Sequence, residues 1–416
     1  MNLWQKIKGK KQKMKSDRLA VRSSNYSKHL VMIVTLSMLL FFIPKHAFVQ
    51  ESKVTLNGYV KDLYMYYSPE TAIPESDLNY LWINNVHNRL NFKWYTNSKL
   101  TTVVEMRNRL IFGNLVDDSS IYQDFVDVDY GLMDLSWIVA QGDSWFMHSM
   151  IDRFYLDYSS GKWQVTVGRQ RVNWGINLVW NPNDIFNTFS YFDFDYEERP
   201  GTDAVRVQYY TGVTSSAELV YKPESNRAGS TVAGMYRFSK WDYDFQFLGG
   251  KTGYDWVLGG GFSGDIRGAG FRGELTHFEP RESVSERATV ASVSADYTFS
   301  NSWYIHSSIL YNSAGEKGKA GGMNVLFNPD LSAKQLSFAR YSVFGQVSRP
   351  ITPLFTGSIS GIMNPSDHSF YVGPALSYSL LSNLELMLTG QFFFGQTGTE
   401  FGDIGQFAFG RLKWSF

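Results

Sequence analysis

The chain has 416 residues, 39 Lys and Arg against 39 Asp and Glu, no Cys, and 16% aromatic residues. The lack of Cys excludes disulfides, thiolate metal sites and cysteine nucleophiles. A mean hydropathy of -0.24, and no stretch beyond the first fifty residues near about 20 consecutive apolar positions, exclude a bundle of membrane-crossing helices.

Charge is unevenly placed. Residues 1–50 hold ten of the basic residues and one acid, Asp17, so the remainder carries 29 basic and 38 acidic residues, a net of −9. A basic leader on an acidic chain points to export and away from nucleic acid. The apolar run Leu30 to Ile43 is too short for a spanning helix and suits the core of a signal peptide. Cleavage is expected near Ala47, although Lys45 fits the small-residue rule poorly, and translation starting at Met14 would shorten the long basic region. An uncleaved inner-membrane anchor is the other reading. Two segments follow: a leader over 1–50 and one sheet domain over 51–416.

From Lys53 onward the pattern is a period of two. Eighteen strands are expected, with sixteen as the alternative if the alternating stretch Asp127 to Val139 changes the count. Links after even-numbered strands are short turns, among them Ser239-Lys240, Gly264-Asp265 and Arg349-Pro350. All the long links follow odd strands: 65–79, 113–146, 171–201, 278–286 and 313–334. A sandwich or propeller has no reason to sort its loops by end, whereas a transmembrane barrel does. Aromatics gather at the short-turn ends, including Trp94, Tyr95, Trp163, Trp241, Trp303 and Phe416. Such rings suit a boundary between lipid and water.

The last strand, Gln406 to Phe416, alternates an apolar face (Ala408, Gly410, Leu412, Trp414, Phe416) with Arg411, Lys413 and Ser415. It resembles the closing-strand signal of Gram-negative outer-membrane barrels. The densest stretch is 166–201. Its pattern Gly168-Arg169-Gln170, Trp174-Gly175, Asn181-Pro182 and Asp184 resembles a motif of a porin-like family, and the whole chain resembles the 18-stranded alginate-export and carboxylate-porin barrels. The resemblance implies an all-β transmembrane barrel in the outer membrane, acting as a passive channel. Its partners would be the bilayer, lipopolysaccharide and small hydrophilic solutes, anionic ones if an arginine wall sets the preference. A structural or adhesive surface barrel, or a partner-plugged subunit of an export machine, is the alternative. Oligomeric state stays open.

Link 171–201 is long and rich in aromatics, which suits a functional loop. It is expected to fold into the barrel, packing Trp174, Trp180, Phe186, Phe189 and Phe192 and placing Arg169, Arg171, Asp184 and Arg199 near a constriction. Strand parity puts His87, Arg89, Asn91 and Lys93 inward on one strand, and Glu105, Arg107 and Arg109 on the next. It also turns Arg206, Arg272, Arg411 and Lys413 inward, with Glu274, Asp296 and Glu385 as the fewer inward acids. Two outcomes are open for these cations: an arginine wall that favours anions, or ordinary pairing, such as Glu105 with Arg107 or Arg109. Only five His follow the leader, and no H-x-x-x-H or G-x-S-x-G pattern occurs. No enzyme activity, cofactor or metal is expected. The acidic runs at Asp117-Asp118 and 193–198 read as solvated loops rather than calcium sites.

Overall fold

The computed structural model describes residues 53–70, 79–118, 120–129, 131–193, 195, 199, 201–225, 229–281, 283, 285–321 and 331–416. The leader and its cleavage site lie outside the described residues, as does most of the 193–198 acidic run.

Among these described residues, nineteen strands form one sheet. They are β1 Val54–Ser68, β2 Leu81–Tyr95, β3 Leu100–Phe112, β4 Ser136–Gln141, β5 Trp145–Ser160, β6 Trp163–Gln170, β7 Thr202–Tyr210, β8 Ser216–Lys222, β9 Thr231–Lys240 and β10 Tyr243–Thr252. Then come β11 Asp255–Ile266, β12 Ala269–Pro280, β13 Ala288–Thr298, β14 Tyr304–Asn312, β15 Tyr341–Thr352, β16 Phe355–Met363, β17 Phe370–Leu381, β18 Leu384–Phe394 and β19 Gln406–Ser415. Two short helices, α1 Asn114–Asp118 and α2 Ser120–Val126, sit in the link before β4.

Every pairing is antiparallel, and β19 returns to β1 in register from Tyr59↔Ser415 to Ser68↔Gln406. Gly58 and Phe416 exchange backbone hydrogen bonds at 3.1 and 3.0 Å, so the chain's last residue is part of the seam. Closure leaves no sheet edge with unpaired N–H and C=O groups. β4 is the exception: it pairs only with the outer half of β5, while the inner half of β5 pairs with β6. The stretch 127–139 therefore supplies an inset, and the closed wall has eighteen strands rather than sixteen.

The alternation runs inside out relative to a soluble sheet. On β14, Ile305 and Ile309 are exposed on the outer face, while His306, Ser308 and Asn312 are buried on the inner one. The outer face is thus apolar and the inner face polar. Links on one end are short, from two residues at 241–242 to five at 211–215; the long ones, including 113–144, 171–201 and 313–340, share the other end.

Three turns sit two to four residues beyond the expected positions. Ser239-Lys240 and Gly264-Asp265 lie within strands, and the turns are Trp241-Asp242 and Arg267-Gly268. All four turn residues have positive φ, from 55° to 87°, as a two-residue hairpin with the right twist requires. Trp241 and Arg267 give no sequence sign of that conformation. Arg349-Pro350 also lies within a strand: β15 starts at Tyr341 rather than 335, and a register irregularity between Pro350 and Thr352 accommodates the proline.

Candidate functional site

The inner face is built from three components: a charged sector, a crossing loop and a hydroxyl sector. The charged sector spans β1 to β8 with β19. Arg89 is fully buried there, donating to Glu105 Oε2 at 2.7 Å and to Asp152. Arg107 lies 3.6 Å from the other Asp152 oxygen. A bulge opposite Glu105 and Met106 makes this possible: Arg153 faces Glu105, Ile151 faces Met106, and Asp152 is the extra residue between them. Two consecutive side chains of β5 thereby reach partners within the sector, which no alternation rule predicts. Glu105 thus pairs with Arg89 and not with Arg107 or Arg109, as the sequence suggested. Arg109 instead contacts His148 Nδ1 at 3.0 Å and the Val126 carbonyl of α2.

Arg206 pairs with Glu218 at 2.8 Å, and Arg411 with Glu385 at 2.6 Å. Arg272 pairs with Asp296. Lys61 bonds Asp195 of the loop at 2.8 Å. Lys93 is half-buried near the short-turn end. The inward arginines are therefore largely matched by carboxylates. A buried cation needs such a partner, because its desolvation is otherwise uncompensated.

Link 171–201 crosses the interior and bonds to strands around the wall. Trp174 Nε1 donates to Glu218 Oε1 at 2.7 Å, and Gln246 of β10 donates to the Trp174 carbonyl at 2.7 Å. Glu274 of β12 accepts the backbone N–H groups of Ile176, Asn177 and Asn183 at 2.5, 2.7 and 2.9 Å. Ser294 of β13 donates to Asn177, and Gln391 of β18 to the Phe192 carbonyl. The aromatics find apolar partners: Trp174 against Phe186, Tyr191 against Phe344, and Phe192 against Tyr371 and Phe393, at ring separations of 4.9 to 5.5 Å. A non-helical segment inside a sheet barrel keeps its polar backbone satisfied by these side-chain acceptors and donors.

The motif residues now have local reasons. Gly168 has φ of 119°, and a Cβ there would meet the Phe154 carbonyl oxygen at 2.2 Å. A Cβ at Gly175 would strike the Asn181 amide at 2.4 Å. Gln170 donates to the Thr166 and Ala204 carbonyls. Asn181 and Pro182 are buried in the turn that leads to Asp184, whose N–H donates to the Asn181 carbonyl at 3.1 Å. Asp184 Oδ1 accepts the N–H of Trp174, and burial pushes its carboxyl up to about 6. Arg169 departs from the constriction expectation. It shares the outward parity of Val165 and Val167, and its guanidinium is held by Asp203 at 2.8 Å, Asp129 at 2.6 Å and the Met133 carbonyl. It fastens link 113–144 to the wall.

Arg171 and Arg199 behave differently from the strand arginines. Neither has an ion-pair partner among the described residues, and Arg171 Nε is buried without an acceptor. Arg199 stacks over the Phe189 ring at 3.0 Å, and its carbonyl accepts from Arg153 at 2.7 Å. Burial, then the neighbouring Arg171, brings the Arg199 guanidinium down to about 10. It lines a cavity of about 340 Å³ together with Gln346, Ser358, Ser360, Thr389 and Gln391 of the hydroxyl sector and with Asp193 and Tyr371. A second cavity, of about 440 Å³, lies on the charged side between Arg107, Arg109, Asp152, Asp193 and Asp195.

Solved structures share this architecture. Outer membrane protein OprD from Pseudomonas aeruginosa superposes with a TM-score of 0.55 at 10% identity, over 88% of this chain and 93% of that one. Acinetobacter baumannii OccAB3 gives 0.57 at 10% identity over 88% and 99%, and Pseudomonas aeruginosa OccK11 (OpdR) gives 0.53 at 11% over 87% and 96%. The fold is that of an outer-membrane porin. No protein-family profile and no curated protein matches the sequence.

Within this porin-like barrel, sequence parity brought Arg89, Glu105, Arg107, Arg109 and Arg206 to one sector. It also turned Glu274 inward, where that carboxylate holds the loop, but it missed Asp152, Asp203, Asp129 and Glu218, which hold the cations. The aspartates Asp152 and Asp129 depend on a bulge and a loop, which parity does not reach. Glu218 follows the inward parity of Val220, so that signal was available for it.

Proposed function

We propose that this chain is an outer-membrane channel for passive diffusion of small hydrophilic solutes, and that Arg171 and Arg199 on the crossing loop, not the strand arginines, give it a preference for anions. The observation that carries the reading is Arg199: a guanidinium with no ion-pair partner among the described residues, braced on Phe189, lining an internal cavity with the hydroxyl and amide groups of Ser358, Ser360, Thr389 and Gln391. Asp184 and Asp193 lie near this cation but no ion pair joins either to it, so a solute anion there has no salt bridge among the described residues to break, and the wall offers donors for its remaining oxygens. At the strand arginines, by contrast, Glu105, Asp152, Glu218 and Asp296 already occupy the cations.

The same reading has the basic leader removed on export, the outer aromatic rings at the membrane boundary, and lipopolysaccharide around the long-loop end. The test is single-channel recording of the purified protein in planar bilayers under a salt gradient. We expect defined conductance steps and a reversal potential on the anion side. Substituting both Arg171→Gln and Arg199→Gln should move that potential toward the cation side. Absence of any conductance from folded protein would favour a structural barrel plugged by its own loop. Cation selectivity in the unmodified protein would overturn the role of the two arginines.

A further inference from the structure

Among the described residues, the hydrogen bonding of the wall is broken above β6. β5 pairs with β6 from Ser160 up to Phe154, and with β4 from Met150 upward. The other edge of β4 pairs with no described strand, and β6 stops at Gln170, where the chain turns inward. A seam is left there, between β4 and the top of β7. The eight residues of β6 rise about 18 Å, at about 3.4 Å per residue and a tilt of about 40°. The apolar band of such a barrel is about 25 Å tall, so the seam begins inside it. Residues 131–135 lie across the seam as a flap. The Ile151 N–H donates to the Leu135 carbonyl at 3.0 Å, the Met133 N–H to Asp203 at 3.2 Å, and the Arg169 guanidinium to the Met133 carbonyl at 2.5 Å. Arg169 and Asp203 stand opposite each other with outward parity, yet are only 3% and 8% exposed. The flap is what shields this ion pair from lipid: a Cβ at Gly131 would strike both side chains, while Leu132 and Met133 are half exposed.

Behind the flap lies the cavity of about 440 Å³, with Gly131 and Arg169 in its lining. One side of it is apolar, formed by Leu63, Met65, Ile83, Phe192 and Phe409. Its charged lining groups, three arginines and four aspartates, nearly cancel, and Asp152 and Asp195 already hold Arg107 and Lys61. Next to the apolar side, Asn85 Oδ1 and His87 Nε2 are buried and bond no described residue, and His87 is 2% exposed. Both point inward from β2, opposite Leu63 and Lys61 of β1. A buried polar atom left without a partner is costly, and a hydroxyl group, which both donates and accepts, completes an amide oxygen or an imidazole nitrogen in either tautomer. Resting on the membrane reading above, we propose that this cavity binds small uncharged amphipaths, an apolar body carrying one hydroxyl group, and passes them sideways into the membrane through the seam under 131–135. The lack of charge is what permits the last step, since a charged molecule would not leave the cavity for hydrocarbon. The route is separate from the Arg199 cavity and its anions.

The probe is 1-naphthol, compared with naphthalene and 1-naphthoate, added to the protein in lipid nanodiscs and corrected with empty discs. We expect saturable binding of 1-naphthol, weaker by about fivefold for naphthalene and for the variant with Asn85→Ala and His87→Ala, the effect of one lost hydrogen bond. No saturable binding, or tighter binding of 1-naphthoate, overturns the site. The route is tested by release. The chain has no Cys, so Leu132→Cys with Val205→Cys places one thiol on the flap and one on the outward face of β7, two residues from Asp203. A short bis-maleimide joining them in folded protein should slow 1-naphthol release severalfold in stopped-flow fluorescence, with the affinity unchanged. The same preparation before linkage is the control, and Arg169→Gln should speed release. Release that is unaffected by the linkage overturns the seam as the exit, as does a linker that cannot join the two thiols. Failure of the folded chain to enter nanodiscs would instead refute the membrane reading on which the proposal rests.

Discussion

The two sides of the barrel interior solve the same packing problem in opposite ways. From β1 to β8 the wall is crowded with charge, yet Arg89, Arg206 and Lys61 each face a carboxylate within 2.8 Å. From β15 to β18 the cavity-facing groups are Gln346, Ser358, Ser360, Thr389 and Gln391, all uncharged, and the cation across from them, Arg199, is carried by the loop. The density of charge on a wall therefore says little about the field a solute meets. What matters is which charges lack a partner, since a paired cation and anion a few Å apart present mainly a dipole.

The comparison can be broken most forcefully at the element that joins the two sides. Removing 178–195 deletes Trp180, Phe186 and Phe192 along with the Asn183 and Phe192 tethers to Glu274 and Gln391. Single-channel conductance should rise several-fold, and solutes of different charge should pass at similar rates. An unchanged conductance from folded barrel would mean that the loop does not restrict the path. Next in size is the charged wall itself. Arg89→Gln leaves the buried Asp152 with only Arg107, at 3.6 Å, and takes the cation from the partly buried Glu105, which costs on the order of 3 kcal/mol. The expected signature is a lower denaturant midpoint with little change in reversal potential. Arg199→Gln should do the reverse. One charge at about 4 Å in water is worth about 1 kcal/mol, roughly a fivefold change in anion-to-cation permeability, with stability nearly unaffected. If both variants moved selectivity equally, the distinction between the two sides would fail.

A smaller effect is expected from pH at the long-loop end of the neutral side. Glu400 is buried, with Ser337 donating to its Oε1 at 2.6 Å, and its own N–H donating to Asp367 at 2.7 Å. Burial pushes its carboxyl up to about 7, above the value of 4.5 it has when unfolded. The folded state then holds a proton that the unfolded state releases between pH 4.5 and 7, so stability falls as pH rises through that window and levels off above it. Amide exchange in 395–405 should accelerate from pH 5 to pH 8 beyond its intrinsic rate, and Glu400→Gln should remove the excess. The smallest effect belongs to the hydroxyl wall. Ser360→Ala removes one donor to the Gly373 carbonyl, for which about 1 kcal/mol is an upper expectation, and should leave the sign of selectivity unchanged.

The sequence by itself determined the barrel. A period of two with apolar residues outward and links sorted by length suffice, because water-free surroundings admit only a closed sheet of this pattern. It raised the expectation that 171–201 folds inward, since Trp174, Trp180 and Phe186 need apolar partners, but the tertiary structure decided it, setting Trp174 on Phe186 within the loop and Trp180 near Phe344 of β15. The tertiary structure alone decided which inward charges are partnered. Arg89 and Arg199 look alike in sequence. A one-residue bulge brings Asp152 to the first, while the path of the loop sets the second on Phe189, facing Ser358 and Ser360. Pairing depends on distances of a few Å between strands far apart in the chain, and alternation, which says only in or out, carries no information about them.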